Sequence, residues 1–167
     1  NVGSRVGLMD AYDNNNLLVY LYLAALLGLL LTKRLNTAYD RWWEGRKLWG
    51  RLVNDSRNAA LKVRALVAPP LEDREECARL LAGFAVALRE HLRQGARLQQ
   101  VPGFEESPDS PAHVPQYLAG RLYGLVDRWK RAGLCDPSSA LALDGALLGL
   151  MEVCGACERI RNSPLPF

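Results

Sequence analysis

At 167 residues and 18.5 kDa the chain has room for one modest domain. Its 21 basic and 18 acidic residues leave a net charge of +3, too small a bias for a nucleic-acid binder. Charged residues make up 23% and the mean hydropathy is −0.09. These averages look soluble, but they conceal an uneven distribution along the chain.

Residues 1–16 are polar and glycine-containing, without the basic start and small-residue cleavage site of a signal peptide. The chain does not begin with Met, and it stops at Ser163-Pro164-Leu165-Pro166-Phe167 without a polar tail, so both ends read as internal to a longer protein. Leu17–Thr32 follows, sixteen residues without a charge. A bilayer-spanning helix needs about 20 apolar residues, within a range of about 17–25. The run is slightly short, so a buried core helix competes with a membrane span. Lys33 and Arg34 at one end and Tyr20 and Tyr22 toward the other favour the membrane, as a cytoplasmic basic flank and an interfacial aromatic belt.

No proline interrupts residues 1–68. Trp42, Trp49, Leu52, Val53, Leu61, Val63 and Leu66 fall at helical spacing. The membrane helix is therefore expected to continue into the cytoplasm, residues 17–66 spanning roughly 75 Å at 1.5 Å per residue. Pro69-Pro70 ends it. A second, amphipathic helix is expected over Leu71–Leu98, its apolar face formed by Leu80, Leu81, Phe84, Val86, Ala87, Leu88 and Leu92. Gln99–Pro115 carries four prolines and reads as a loop free to move. A third helix is expected over Gln116–Ala132, with Gly133 at its C-terminus. Asp136-Pro137 reads as an N-cap and first-turn proline, opening a fourth helix from Pro137 to about Asn162. No alternating strand pattern appears, so the fold class is all-α.

The four cysteines, Cys77, Cys135, Cys154 and Cys157, are too sparse for a disulfide framework and read as free thiols in a reducing compartment. Cys154 and Cys157 lie three apart, which on a helix means one face and ordinary packing. A zinc or redox role needs a second ligand pair, and His91 and His113 are isolated in the sequence. No set of residues resembles a nucleophile, base and orienter, and no phosphate loop is visible. The expectation is a non-enzyme with no catalytic residue, metal or cofactor.

Two blocks carry a family resemblance. Residues 36–50 read Asn-Thr-Ala-Tyr-Asp-Arg-Trp-Trp-Glu-Gly-Arg-Lys-Leu-Trp-Gly, with Asn54-Asp55-Ser56-Arg57-Asn58 shortly after. Far downstream stands Gly155-Ala156-Cys157-Glu158-Arg159-Ile160, followed by Pro164-Leu165-Pro166-Phe167. This resembles the bestrophin family in its prokaryote-style branch, over about residues 17–167. The first block is similar to the segment after the family's second membrane helix, the last to the approach to its third.

The resemblance implies an α-helical homopentamer around one pore, embedded in the cell membrane as a multi-pass protein, its partners being its own copies, lipid and small inorganic ions. It implies a polar segment at 1–16, a transmembrane helix at 17–34, a cytoplasmic helical region at 35–163 and the start of the next membrane helix at 164–167. The family's calcium-binding acidic segment would lie outside this chain. The narrow neck is expected at Ala25, Leu29 and Lys33, four residues apart on one helix face. Lys33 stands where the family usually has an aromatic. It either snorkels to the interface or pairs with an acid such as Asp40, or five copies ring the pore exit and favour anions. A second constriction is expected near Pro137 or Ser138.

Arg34, Asn36, Tyr39, Arg41, Trp42, Glu44, Arg46 and Trp49, with Cys157, Glu158 and Arg159, are expected to form the structural motif between subunits. The alternative for the charges among them is a solvated helix face with weak pairs. The function expected is a channel for chloride or other small anions. A cation-selective homologue and a non-conducting membrane scaffold are the alternatives.

Overall fold

The computed structural model describes the backbone of residues 2–163 and the side chains of residues 16–163. The described residues form four α-helices and no strand: α1, Val2–Lys62; α2, Leu71–Arg93; α3, Val114–Arg131; and α4, Pro137–Asn162. The described residues divide into two compact units, residues 2–43 and residues 44–163. The boundary falls inside α1.

In the first unit the apolar run is helical throughout. Thr32 Oγ1 donates back to the Gly28 carbonyl at 2.8 Å, and Thr37 Oγ1 to that of Lys33 at 3.0 Å. Both hydroxyls thereby satisfy themselves on their own helix.

The second unit holds the core. α2 and α3 pack antiparallel: Trp129 Nε1 donates to Asp73 Oδ2 at 2.6 Å at one end. Toward the other end Gly83 of α2 lies against Leu118 of α3. Leu80, Phe84, Leu88, Leu118, Leu122, Leu125 and Trp129 are almost wholly buried between them. α4 closes this pair with Leu143, Ala146, Leu147, Leu150 and Val153.

The C-terminal part of α1 runs antiparallel to α4 in a regular register. Glu44 meets Arg159, Arg51 meets Glu152, Asp55 lies against Gly149, and Lys62 Nζ donates to the Ala142 carbonyl at 2.6 Å. The α4 residues in these four contacts are small or polar. Of the apolar positions expected at helical spacing over residues 42–66, Leu52 and Val63 are buried, while Trp42, Trp49, Val53, Leu61 and Leu66 remain exposed.

Local chemistry explains the ends. Past Lys62 the chain makes one π-helical turn, Val63–Val67, and Ala68 adopts φ 45° while its N–H bonds the Val63 carbonyl. This left-handed residue, not the following prolines alone, turns the chain. α2 stops at Arg93, earlier than the apolar pattern to Leu98 suggests, because Gly95 at φ 89° reverses the chain. α3 begins two residues before the expected Gln116, since His113 caps it through Nδ1 and Pro115 fits the first turn. Its C-terminus is a Schellman closure. Gly133, at φ 71°, donates to the Lys130 carbonyl, and Leu134 to that of Trp129. α4 opens as its sequence indicates. Asp136 Oδ1 accepts from the N–H groups of Ser138 (2.7 Å) and Ser139 (3.0 Å).

The proline-rich connection is not the free loop expected from its composition. Leu98 and Val101 are buried, and Val101 and Phe104 cover Gly83 of α2. The Gln99 side-chain amide donates to the carbonyls of Ser107 and Asp109, at 3.0 and 2.9 Å. Tyr117 Oη donates to Asp109 Oδ2 at 2.5 Å. Apolar anchors and hydrogen bonds together hold the segment onto the bundle.

Candidate functional site

Ala25, Leu29 and Lys33 follow each other at one-turn spacing on α1, and all three are exposed, Leu29 at 71%. Their neighbours are equally uncovered. Every large apolar side chain among Leu17–Leu31 is exposed, and the most apolar stretch of this helix has no residue buried by the chain itself. Helical geometry satisfies the backbone internally, so such a segment can enter lipid. By length and composition α4 could also cross a membrane, but 44% of its apolar stretch is already buried in the bundle. Its apolarity is that of a core helix.

Below the apolar run Arg34, Asn36 and Tyr39 are exposed, and Arg41 is half-buried. Tyr39, Trp42 and Trp43 form a tilted aromatic row, with ring centroids 5.6 Å apart in the first pair and 6.1 Å in the second. Both tryptophans and Trp49 keep at least a third of their surface uncovered. Tyr39, Trp42 and Trp43, left open within one stretch of helix, form an apolar surface of the kind that assemblies bury.

In the second unit the two motif blocks meet. Glu44 Oε1 accepts from Arg159 at 2.6 Å, joining positions 115 residues apart. Arg46 is exposed. Cys157 is buried beside them, its thiol pushed up by burial first and then by the nearby charges of Glu44 and Glu158. Pro137 and Ser138 are exposed at the first turn of α4. The Asp136 carboxyl there is held far below its ordinary range. The Ser138 side chain contributes most, then the Ser139 N–H and hydroxyl.

One grouping is absent from the sequence reading. His91 and His113, isolated along the chain, converge on Glu158, at separations of 67 and 45 residues. Their rings are 4.4 Å apart between centroids. Hydrogen bonds from His113 and His91 hold the Glu158 carboxyl below its usual range, His113 contributing most, against the opposing effect of burial. The Gln116 N–H needs a lone pair on His113 Nδ1, at 3.1 Å, so the proton of the neutral ring sits on Nε2 and points at Glu158. The one local signal was Pro115, which marks a helix start and so makes His113 a capping residue.

A profile of the family described as Bacterial/Fungal Bestrophin protein matches residues 9–167, eight residues further toward the start than the sequence resemblance reached. The voltage-dependent anion channel-forming protein mll4386 of Mesorhizobium japonicum is 36% identical over 145 residues, covering 84% of this chain and 47% of that protein. The voltage-dependent anion channel-forming protein RSc3414 of Ralstonia nicotianae is 38% identical over 150 residues, 84% of this chain and 48% of its own. The chain thus spans about half the length of these relatives. A crystal structure of a bacterial bestrophin homolog from Klebsiella pneumoniae superposes with a TM-score of 0.79 at 21% identity, over 87% of this chain and 56% of that one. That likeness extends to the helical fold. With the two motif blocks joined through Glu44 and Arg159 on an all-α fold of this kind, the chain belongs to the bestrophin family, in its bacterial and fungal branch.

Proposed function

We propose that the chain is part of the pore-forming subunit of a homopentameric bestrophin-like channel that conducts chloride or other small anions across the cell membrane. The observation that carries this reading is the helix through Leu17–Leu31, whose large apolar side chains are all left uncovered by the chain. An exposed apolar surface of that length needs lipid or further copies of the protein to cover it. The anion-channel names of its relatives supply the ion class.

In this reading residues 17–34 cross the bilayer and 35–163 form a cytoplasmic helical region; the start of the next span expected at 164–167 lies outside the described residues. Ala25 and Leu29 line an apolar neck that can gate by dewetting, and Lys33 rings its cytoplasmic exit. The open Tyr39–Trp42–Trp43 row and Trp49 face a neighbouring subunit. Pro137 and Ser138 border a second constriction. No residue is assigned a catalytic role.

Lys33 also favours a second reading, a non-conducting scaffold, because a charge replaces the aromatic that the resemblance leads one to expect at the neck. Reversal potentials of the full-length protein in planar bilayers with unequal NaCl decide among these. Reversal toward the chloride equilibrium potential is expected. Reversal toward that of sodium makes the protein a cation-selective homologue, and a silent bilayer makes it a scaffold.

A further inference from the structure

His91 on α2, His113 at the start of α3 and Glu158 near the end of α4 meet inside the second unit. His91 Nε2 lies 2.7 Å from Glu158 Oε1, and His113 Nε2 lies 2.8 Å from the same oxygen. One ligand atom from each residue falls within 4.8 Å of the others. The side chains are 16%, 29% and 28% exposed, so they are sheltered but not sealed. His113 also lines an open groove of about 910 Å³ with Pro111, Gln116 and Tyr117, which gives a small ion a path from solvent. Two imidazole nitrogens aimed at one carboxylate make the three-ligand set typical of zinc sites that keep a fourth position for water.

We propose that His91, His113 and Glu158 bind one divalent transition-metal ion of the zinc class, with water completing the shell. Each neutral ring binds the metal through Nε2, and the proton it gives up there moves to Nδ1 of the same ring, so the imidazole stays neutral. Metal–ligand bonds of about 2.0–2.2 Å in a tetrahedron place ligand atoms roughly 3.3 Å apart. Each N···O separation therefore opens by about half an ångström. Rotation about the His and Glu side-chain bonds covers that distance. The bound ion ties together three helices that are far apart in the sequence.

His113 gives the site a built-in competition. Its Nδ1 accepts the Gln116 N–H and caps α3, which fixes the proton on Nε2. Coordination through Nε2 moves that proton to Nδ1 and releases the cap. Metal binding and the helix cap thus draw on the same ring in opposite tautomers.

Two substitutions separate ligation from folding. His113→Asn keeps a side-chain oxygen able to cap α3 and removes the ligand. His91→Gln keeps an N–H donor for Glu158 and removes the imidazole. The experiment takes the full-length protein, strips it with a chelator, equilibrates it with zinc sulfate and reads bound zinc by elemental analysis. Cobalt titration reports geometry through visible absorption, and helix content is followed by circular dichroism. Equimolar zinc and tetrahedral cobalt absorption are expected for the wild type, with at least a tenfold loss of affinity in each variant at unchanged helix content. Wild-type protein without bound zinc, or variants that hold it as tightly, would overturn the proposal. Conductance is no part of the readout, so the result is independent of the channel reading.

Discussion

The Asp55 carboxylate of α1 occupies the space that a side chain on Gly149 of α4 would need. A Cβ at Gly149 would stand 2.8 Å from Asp55 Cγ, and closer still to Oδ2. Gly149 is therefore required by this close approach, between the Arg51–Glu152 and Lys62–Ala142 contacts. Asp55 Oδ2 is buried without a hydrogen-bond partner, although Arg51 Nε lies 3.4 Å away.

Gly149→Ala consequently destabilises the helical region by about 1–3 kcal/mol, the usual cost of overpacking. Combining it with Asp55→Ala restores most of that loss, because the obstructing carboxylate is gone. Chemical denaturation of the single and double variants measures the coupling. Simple additivity of the two substitutions would show that the residues do not obstruct each other.

Asp136→Ala lowers the melting temperature near neutral pH, and Asp136→Asn, which retains a capping oxygen, lowers it less. The Asp136 pKa is depressed in the folded state, so its contribution is present above the ordinary carboxylate range and fades as pH falls toward the folded value. Thermal melts from neutral to acid pH should show the wild type and the Ala variant converging.

Burial pushes the Cys77 thiol up to about 11 and that of Cys154 to about 12. Both stay protonated and unreactive near pH 8, and a thiol reagent should modify them only after denaturant is added. Because these values are raised, the stabilisation is complete below the ordinary thiol value of 9.0 and declines as pH rises through the folded values. Alkylation rates with and without denaturant, followed by mass spectrometry, check the assignment.

How much of this the sequence revealed depended on whether the deciding signal was local. Asp136-Pro137 placed the start of α4 at the correct residue, because a cap and a first-turn proline act within one turn. The apolar face of α2 was legible as periodicity: Leu80, Leu81, Phe84, Ala87 and Leu88 are buried, while Val86 and Leu92 are half-buried. The end of α2 was misjudged because Gly95 overrides a pattern that runs on to Leu98. The loop looked free because its prolines were visible while the burial of Leu98 and Val101 was not. His91, His113 and Glu158 could not be joined in advance, since only the packing of three helices brings them together.

Lys33→Gln removes the charge ring assigned to the pore exit. In the full-length channel it should shift the reversal potential under an NaCl gradient away from chloride, and Lys33→Arg should leave it in place. An unchanged reversal in Lys33→Gln would remove Lys33 from the permeation path and favour its snorkelling to the interface.

The pore lining itself is tested most directly at Leu29. The four cysteines of this chain are buried, so a cysteine placed at Leu29 stands out against a quiet background. Full-length Leu29→Cys is recorded in planar bilayers while a charged, membrane-impermeant thiol reagent is added, with the wild-type channel as control. A lasting change of current confined to Leu29→Cys is expected if this residue lines a water-filled neck. Current through Leu29→Cys that ignores the reagent would place the residue against lipid or protein and contradict the account.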